Sequence, residues 1–411
     1  MSASFDIAIV GGGMVGATLA VAVAPLGLRV ALIEAVPHDA AAQPSFDDRT
    51  TALSNGSRRI LETLGIWDAV AVAATPIARI HVSDQGRFGF ARIDAGEQGL
   101  AAMGYVLPNR SLGEALWARL QGCANIRSFC PARVAQVRPG EAMVGLDVDT
   151  ADAAPAALEA HLIVAADGVH SAVRSAFGIA AESRDYGQTA VITSVLPQRF
   201  HDHVAYERFT ESGPLALLPL ADGRCTLVLT LNHAMAEDAM RWSDGEFLAE
   251  VQRRFGFRLG RFLKAGRRVA YPLALTRSAQ TSAARCVIVG NAAQGLHPVS
   301  GMGFNLGLRD VACLAELLAD RVRDHGSDAD CGAAPMLAAY DAWRAGDRRA
   351  VIAFTDGLVR VFSNPLGAVR RLRNLGLLAF DLLPPAKAAL SSLSTGASGH
   401  IPKLARGVAL R

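Results

Sequence analysis

The sequence predicts an α/β fold: a Rossmann-type domain that carries an inserted antiparallel β-sheet domain and ends in a C-terminal helical segment. Three observations predict it. The chain opens with a strand, a glycine turn and a helix. Two further apolar strands run into glycine corners near residues 166–174 and 290–303. Between those corners, residues 181–276 alternate apolar and polar residues with the period of two that a half-buried sheet requires.

A chain of 411 residues can bury about three quarters of its unfolded surface, enough for two or three domains. Hydrophobic residues make up 51%, charged residues 19%, and mean hydropathy is +0.24. Net charge is +3 and the basic residues are dispersed until the C-terminal segment, so no nucleic-acid partner is expected. Six cysteines without a C-x-x-C pair read as reduced thiols of a cytoplasmic protein. Residues 14–33 are almost wholly apolar, but Pro25, Gly27 and Arg29 interrupt them and Asp6 precedes them. A helix ending near Gly27 and a strand over 29–34 fit better than a membrane span.

Residues 5–10 (FDIAIV) form a strand that enters Gly11-x-Gly13-x-x-Gly16. The motif is informative because a strand precedes it, a helix follows it, and Glu34 ends the next strand about 20 positions on. Gly11 allows the tight turn and Gly13 the close approach of a pyrophosphate. Gly16 seats the helix on the sheet, and Glu34 accepts from ribose hydroxyls. A dinucleotide is expected here. Arg49 follows in DDRTTALS, before a helix that Ser54 or Asn55 caps, and Arg110 opens the helix RSLGEALWARL. Strands are predicted at 126–129, 133–138, 143–148 and 159–165. The last runs into Asp167, Gly168 and Ser171, with Arg174 beyond. The stretch 285–310, RCVIVGNAAQGLHPVSGMGFNLGLRD, starts as a strand and turns at Gly290. It continues as a loop with Pro298, Gly301 and Gly303 and opens a helix at about Phe304. Its bare backbone and free N–H groups suit a flat, partly anionic ring.

Together these motifs resemble the group A FAD-dependent aromatic hydroxylases. HVSDQGRFGF (81–90), ERFTESGPLALLPLADGRC (207–225), YPLAL (271–275) and residues 290–310 narrow the likeness to the ubiquinone-biosynthesis hydroxylases. Within that branch they are most similar to the 2-octaprenyl-6-methoxyphenol hydroxylases. The likeness covers nearly the whole chain and is weakest after residue 350. It departs at Asn291, where the family has aspartate, and at Met302, where it has glutamine. The resemblance implies FAD as cofactor, NADH or NADPH as electron donor, and O2 as co-substrate. It also implies hydroxylation of a polyprenylated (methoxy)phenol through a flavin C4a-hydroperoxide. Glu34, Arg49, Arg110, Asp167 and Asn291 would contact FAD, and the loop Pro298 to Asn305 would lie along the isoalloxazine. N–H groups near Phe304 and Asn305 would stabilise its reduced, anionic form.

The phenol also needs a partner, since ionising it at pH 7 costs about 4 kcal/mol. His297 beside Pro298 is the candidate, against the plain alternative of a loop histidine satisfied by backbone. Tyr186, Tyr206 and Tyr271 of the middle region are candidates to hydrogen-bond the substrate, against the plainer reading of half-buried strand tyrosines. His201-x-His203 places two imidazoles on one strand face without a third ligand, so no metal is expected. No second G-x-G-x-x-G occurs, so the nicotinamide must meet the flavin transiently.

The expected organisation is an FAD-binding domain over 1–75, 97–180 and 277–335. A substrate-binding sheet would take 76–96 and 181–276, and a helical region 336–411. Arg360, Arg370, Arg371 and Arg373 beside leucines leave two readings open. One is a peripheral contact with the inner membrane, the other an exposed face of a packed helix. Other quinone-biosynthesis proteins are expected as partners if the chain is a non-catalytic scaffold. The remaining alternatives are another ring position or a smaller aromatic. A flavin halogenase is disfavoured because its G-W-x-W-x-I-P motif is absent.

Overall fold

Runs of valine, isoleucine, leucine and alanine long enough for one strand each build a parallel sheet buried on both faces. The computed structural model describes residues 3–40, 43, 45–47, 49–87, 89–150, 155–362, 381, 383, 385, 387 and 400–410. Ala3–Val10 lies at the centre of the first sheet, parallel to Val30–Ile33 on one side and Ala156–Ala165 on the other. Ile126–Phe129 and Cys286–Ile288 extend the parallel order outward. Helices Met14–Val23, Asn109–Gln121 and Met302–His325 pack one face through Leu19, Leu116, Leu308 and Leu314. Strands Ala132–Arg138 and Val144–Thr150 cover the other face with Val144, Leu146 and Val148.

The apolar run at 14–33 is thus core rather than membrane. Every residue from Gly16 to Val23 is buried, and Gly27 (φ +73°) ends the helical stretch. Among the described residues no helix is long and apolar enough to cross a membrane. All six cysteines are free, and burial pushes the Cys225 thiol up to about 12.

A small sheet, with Gly104–Pro108 between Thr50–Ser54 and Thr75–Ile77, links the first sheet to the second. In the second sheet Ala181–Pro197 pairs with Val269–Ser278 and Cys225–Asn232. Gly213–Pro219, Val204–Thr210, Arg79–Asp84 and Phe90–Asp94 follow in that order. The expectation of an antiparallel sheet needs one correction, because Val204–Thr210 and Arg79–Asp84 run parallel. The chain enters this sheet twice, so those neighbours are not hairpin partners and nothing forces them antiparallel. His201-x-His203 is also corrected. The strand begins at Val204, and Asp202 and His203 turn with φ of 49° and 57°. His201 Nε2 bonds the Leu220 carbonyl at 2.8 Å, and its Nδ1 accepts from the His203 N–H. No metal-holding group exists among the described residues.

Helix Asp244–Phe255, fixed by a Ser243/Glu246 capping box, sets Phe247, Val251 and Phe255 against Leu215, Leu227 and Leu229. Strand alternation then turns Thr226, Val228, Ala190, Ile192, Ala216 and Leu218 to the opposite face. Helix Ala334–Phe362 follows. The basic cluster at Arg370, Arg371 and Arg373 lies outside the described residues. Residues 400–410 return to the first sheet's helices: Thr63 Oγ1 donates to the Leu404 carbonyl at 3.1 Å, and Lys403 pairs with Asp320 at 3.0 Å.

Candidate active site

Parallel pairing sets the ends of adjacent strands level. Val10 registers with Ile33 and Ala165, and Ala165 with Ile288, so Gly11, Glu34, Asp167 and Gly290 follow at one edge of the sheet. The glycines there are required by space. A Cβ on Gly11 (φ +102°) would lie 2.4 Å from the Ala166 carbonyl oxygen, and one on Gly16 would lie 1.8 Å from that of Gly11. Gly16 therefore clamps the helix onto the turn. A Cβ on Gly13 would meet Ser45 Oγ at 2.6 Å.

Glu34 bends over this turn, accepting from the Gly12 N–H at 2.5 Å and the Val36 N–H at 2.9 Å. Its oxygens have acceptor capacity left for a hydroxyl donor. Glu34→Gln replaces a charge-assisted brace with a neutral one, and FAD affinity is expected to fall about tenfold in a fluorescence titration. Asp167 accepts from the Val173 N–H at 3.2 Å, while its buried Oδ1 has no protein partner. Burial holds this carboxyl above the usual carboxylate range. Gly168 (φ +86°) makes the turn beside it. Arg174 ties two corners together, reaching the Ala292 carbonyl at 2.8 Å and that of Val169 at 3.0 Å. Asn291 is exposed on the 3-10 turn Gly290–Ala292.

Arg49 and Arg110 come to one place, because the Asn109 N–H donates to the Arg49 carbonyl at 2.9 Å. The Arg49 guanidinium pairs with Asp47 at 2.6 Å and lies 4.5 Å over the Tyr271 ring of the second sheet. Arg110 is exposed at the start of its helix.

The expected opening of the next helix at Phe304 is two residues late: it spans Met302–His325, with Gly301 (φ +60°) as N-cap. Gly301, without a side chain, accommodates Ala52 there; a Cβ would approach it to 3.1 Å. Gly303 is therefore helical rather than loop, and a Cβ on it would meet nothing within 4 Å. The N–H groups left without intrahelical partners are those of Met302, Gly303 and Phe304. The Asn305 side chain serves as a brace: Nδ2 donates to the Ala52 carbonyl at 2.8 Å, and Oδ1 accepts from the Ser54 N–H and Ser57 hydroxyl. Thr50, on the same strand as Ala52, meets Thr226 of the second sheet at 2.9 Å. The helix N-terminus and this face of the second sheet, which also carries Glu207 opposite Ala216, are thereby brought to one region. The orphaned Asp167 oxygen, the glycine turn and the bare helix start fit an FAD.

His297 is 1% exposed. Its Nδ1 accepts from the Val299 N–H at 3.1 Å, so the neutral ring carries its proton on Nε2, which has no protein partner. Tyr186 stands edge-on 5.4 Å away, its hydroxyl on Asp356. Pro298 beside it is exposed. Burial lowers His297 to about 4, and burial with the nearby Arg258, Arg92 and Arg208 lowers His81 to about 4. Both stay neutral in the fold, whereas the unfolded chain protonates them below about 6.5. Their contribution is complete above that value and is lost as pH falls toward 4. Urea midpoints are expected to drop between pH 6.5 and 4, with a shallower slope in His81→Phe.

Sequence reasoning missed Asp310 as a hub. It is fully buried and accepts from the Gly290 N–H at 3.1 Å, Gln294 at 3.0 Å and Arg344 at 2.8 Å. Its partners lie too far along the chain for spacing to reveal them.

A glycine-turn parallel sheet with two more corners at the same edge, joined to a second sheet over a helix N-terminus, fits a dinucleotide cofactor whose ring end reaches the second sheet. The family described as "FAD binding domain" matches residues 4–354, and the chain belongs to that family. It is 37% identical to ubiquinone hydroxylase UbiL of Rhodospirillum rubrum, over 98% of this chain and 93% of that protein. It is 32% identical to the Escherichia coli 3-demethoxyubiquinol 3-hydroxylase, over 92% and 94%. The crystal structure of p-nitrophenol 4-monooxygenase from Pseudomonas putida shares the fold, with a TM-score of 0.79 at 18% identity, over 97% and 100%.

Proposed function

We propose that this protein is an FAD-dependent monooxygenase that hydroxylates the ring of a polyprenylated phenol in ubiquinone biosynthesis, drawing on NAD(P)H and O2. The observation that carries the reading is the bare helix start at Gly301 to Phe304, brought by the Thr50–Thr226 contact to the face of the second sheet that carries Ala190, Ile192 and Val228. When bound, FAD supplies electron acceptance from the nicotinamide and oxygen transfer to the ring. The chain's own residues orient, desolvate and polarise. The proposed FAD contacts are Gly11, Gly13, Gly16, Glu34, Arg49, Arg110, Asp167, Gly168, Gly290, Asn291, Gly301, Gly303, Phe304 and Asn305. They divide between the dinucleotide arm and the ring. Backbone N–H groups of Met302, Gly303 and Phe304 supply positive potential for an anionic ring without a lysine. Ala190, Ile192 and Val228 keep water from it.

His297 is proposed to hold the phenol. A buried Nε2–H without a protein acceptor can donate to the substrate oxygen, and a donor to the charged form lowers the phenol's pKa. His297→Phe is expected to lose about tenfold in kcat at pH 7 and to recover part of it at pH 9. An equal loss at every pH would remove this role.

The reading is tested by following the visible spectrum under NADH or NADPH in air, with and without a prenylated methoxyphenol. Flavin reduction accelerated by the phenol, with a hydroxylated product, is the expected result. The product's regiochemistry distinguishes the 2-octaprenyl-6-methoxyphenol position from the 3-position. A flavin that no nicotinamide reduces would sink the NAD(P)H donor, and absence of product under chemical reduction would leave the scaffold reading.

A further inference from the structure

Phe262–Ala265 is an edge strand that covers only the far end of Ala181–Pro197. Beyond it the two chains continue side by side. The Gln198 N–H donates to the Arg261 carbonyl at 2.8 Å, and the Arg199 N–H to that of Leu259 at 3.0 Å. Phe262 and Ala265 pack inward, and Leu263, which the register shift between them leaves without a cross-strand partner, is 54% exposed. Phe257 is 67% exposed and Phe200, packed beside Gly223, is 52% exposed. Isolated apolar side chains on a surface are ordinary. Here three large ones stand on one hydrogen-bonded rim.

The same rim is cationic. Arg199, Arg258, Arg261, Lys264 and Arg267 carry no ion pair among the described residues. The acids nearby are Asp202, Asp222 and Asp244; Arg224 holds Asp222 at 2.6 Å and Arg268 meets Asp244 at 3.4 Å. A cleft of about 410 Å³ lined by Met240, Asp244, Ala265, Gly266, Arg267 and Arg268 continues the surface. Long unpaired cations interleaved with phenylalanine and leucine match the chemistry of a bilayer interface. The apolar tips enter the acyl boundary while the cations meet lipid phosphates.

We infer that this edge of the second sheet is the face with which the protein lies on an anionic lipid bilayer. The inference rests on the polyprenyl reading only for its purpose, since such a substrate keeps its tail in lipid. The rim is distinct from the ring site: Pro197 lies about 23 Å along its strand from Ala190, the register partner of Tyr271.

The test is sedimentation of the flavin-loaded protein with vesicles of phosphatidylcholine alone or with about 30 mol% phosphatidylglycerol, which gives the bilayer a negative surface potential. Binding to the anionic vesicles only, weakened by about 0.5 M salt, is expected. Arg261→Gln/Lys264→Gln is expected to weaken it roughly 25-fold, at about fivefold per cation, and Phe257→Ser roughly tenfold. Arg59→Gln/Arg119→Gln, an equal charge change on exposed helix positions of the first domain, should leave binding unchanged. All variants should keep wild-type flavin spectra and turnover of a short-chain phenol in detergent. Absence of vesicle binding by the wild type, or equal loss in the distant variant, overturns the inference. So does Phe257→Ser abolishing a self-association seen by ultracentrifugation while vesicle binding persists. Vesicle binding without hydroxylation would instead fail the proposed reaction and leave this surface standing.

Discussion

Arg344→Leu is expected to cost about 3–5 kcal/mol of stability, the range for removing one partner of a buried ion pair. Arg344 is 3% exposed and holds Asp310 at 2.8 Å and Asp347 at 2.7 Å. Arg309 also reaches Asp347, at 2.6 Å, but Asp310 would keep only the Gly290 N–H and Gln294. A buried carboxylate with two neutral donors must either lose its charge or move. Either response disturbs the Gly290 corner, so flavin retention should fall along with the urea midpoint. Asp310→Leu/Arg344→Leu, which removes both charges, should recover part of the loss. A cost below about 1 kcal/mol for the single change would show that this network does not brace the corner.

Gly16→Ala and Gly303→Ala should separate two uses of glycine. At Gly16 the added methyl would sit 1.8 Å from the Gly11 carbonyl oxygen, closer than any contact the backbone can accept. The helix must move off the turn, and FAD affinity is expected to fall at least 100-fold (about 2.8 kcal/mol). Helix docking should weaken as well. At Gly303 the methyl meets no protein atom, and alanine improves helix propensity by roughly 0.5–1 kcal/mol. That variant should melt slightly higher without flavin yet bind FAD at least tenfold more weakly, because the methyl fills space proposed for the ring. Unchanged FAD affinity in Gly303→Ala would move the isoalloxazine away from this helix start.

Much of the first sheet was legible because its constraints are local. A glycine turn needs neighbouring glycines, and Gly11, Gly13, Gly16 and Glu34 fall within one βαβ unit. Ser54 was readable as a cap, and its hydroxyl accepts from the Ser57 N–H. The helix start was misread by two residues because Gly301 in a left-handed conformation resembles a loop glycine in sequence. The parallel contact between Arg79–Asp84 and Val204–Thr210 was hidden, since alternation fixes which face a residue takes but not its neighbour. Asp310 with Arg344, and Thr50 with Thr226, join residues whose meeting depends on the finished fold. The proton on His297 Nε2 was equally unreadable, being set by a backbone N–H two residues on.

The first sheet also has a history in time. Ile163 must wait for Cys286 to arrive as its parallel neighbour, and most of the second sheet, from Ala181 to Ser278, is synthesised between them. At about 5–20 residues per second, a ribosome needs roughly 6–25 s to make that insertion. Through that interval the Ala156–Ala165 strand exposes an apolar edge, and the Gly290 corner does not yet exist. Nascent chains arrested before residue 288 should therefore retain no flavin and depend on chaperones to keep that edge covered. Cofactor capture then becomes a late event of biosynthesis, made possible only when the inserted domain has left the ribosome.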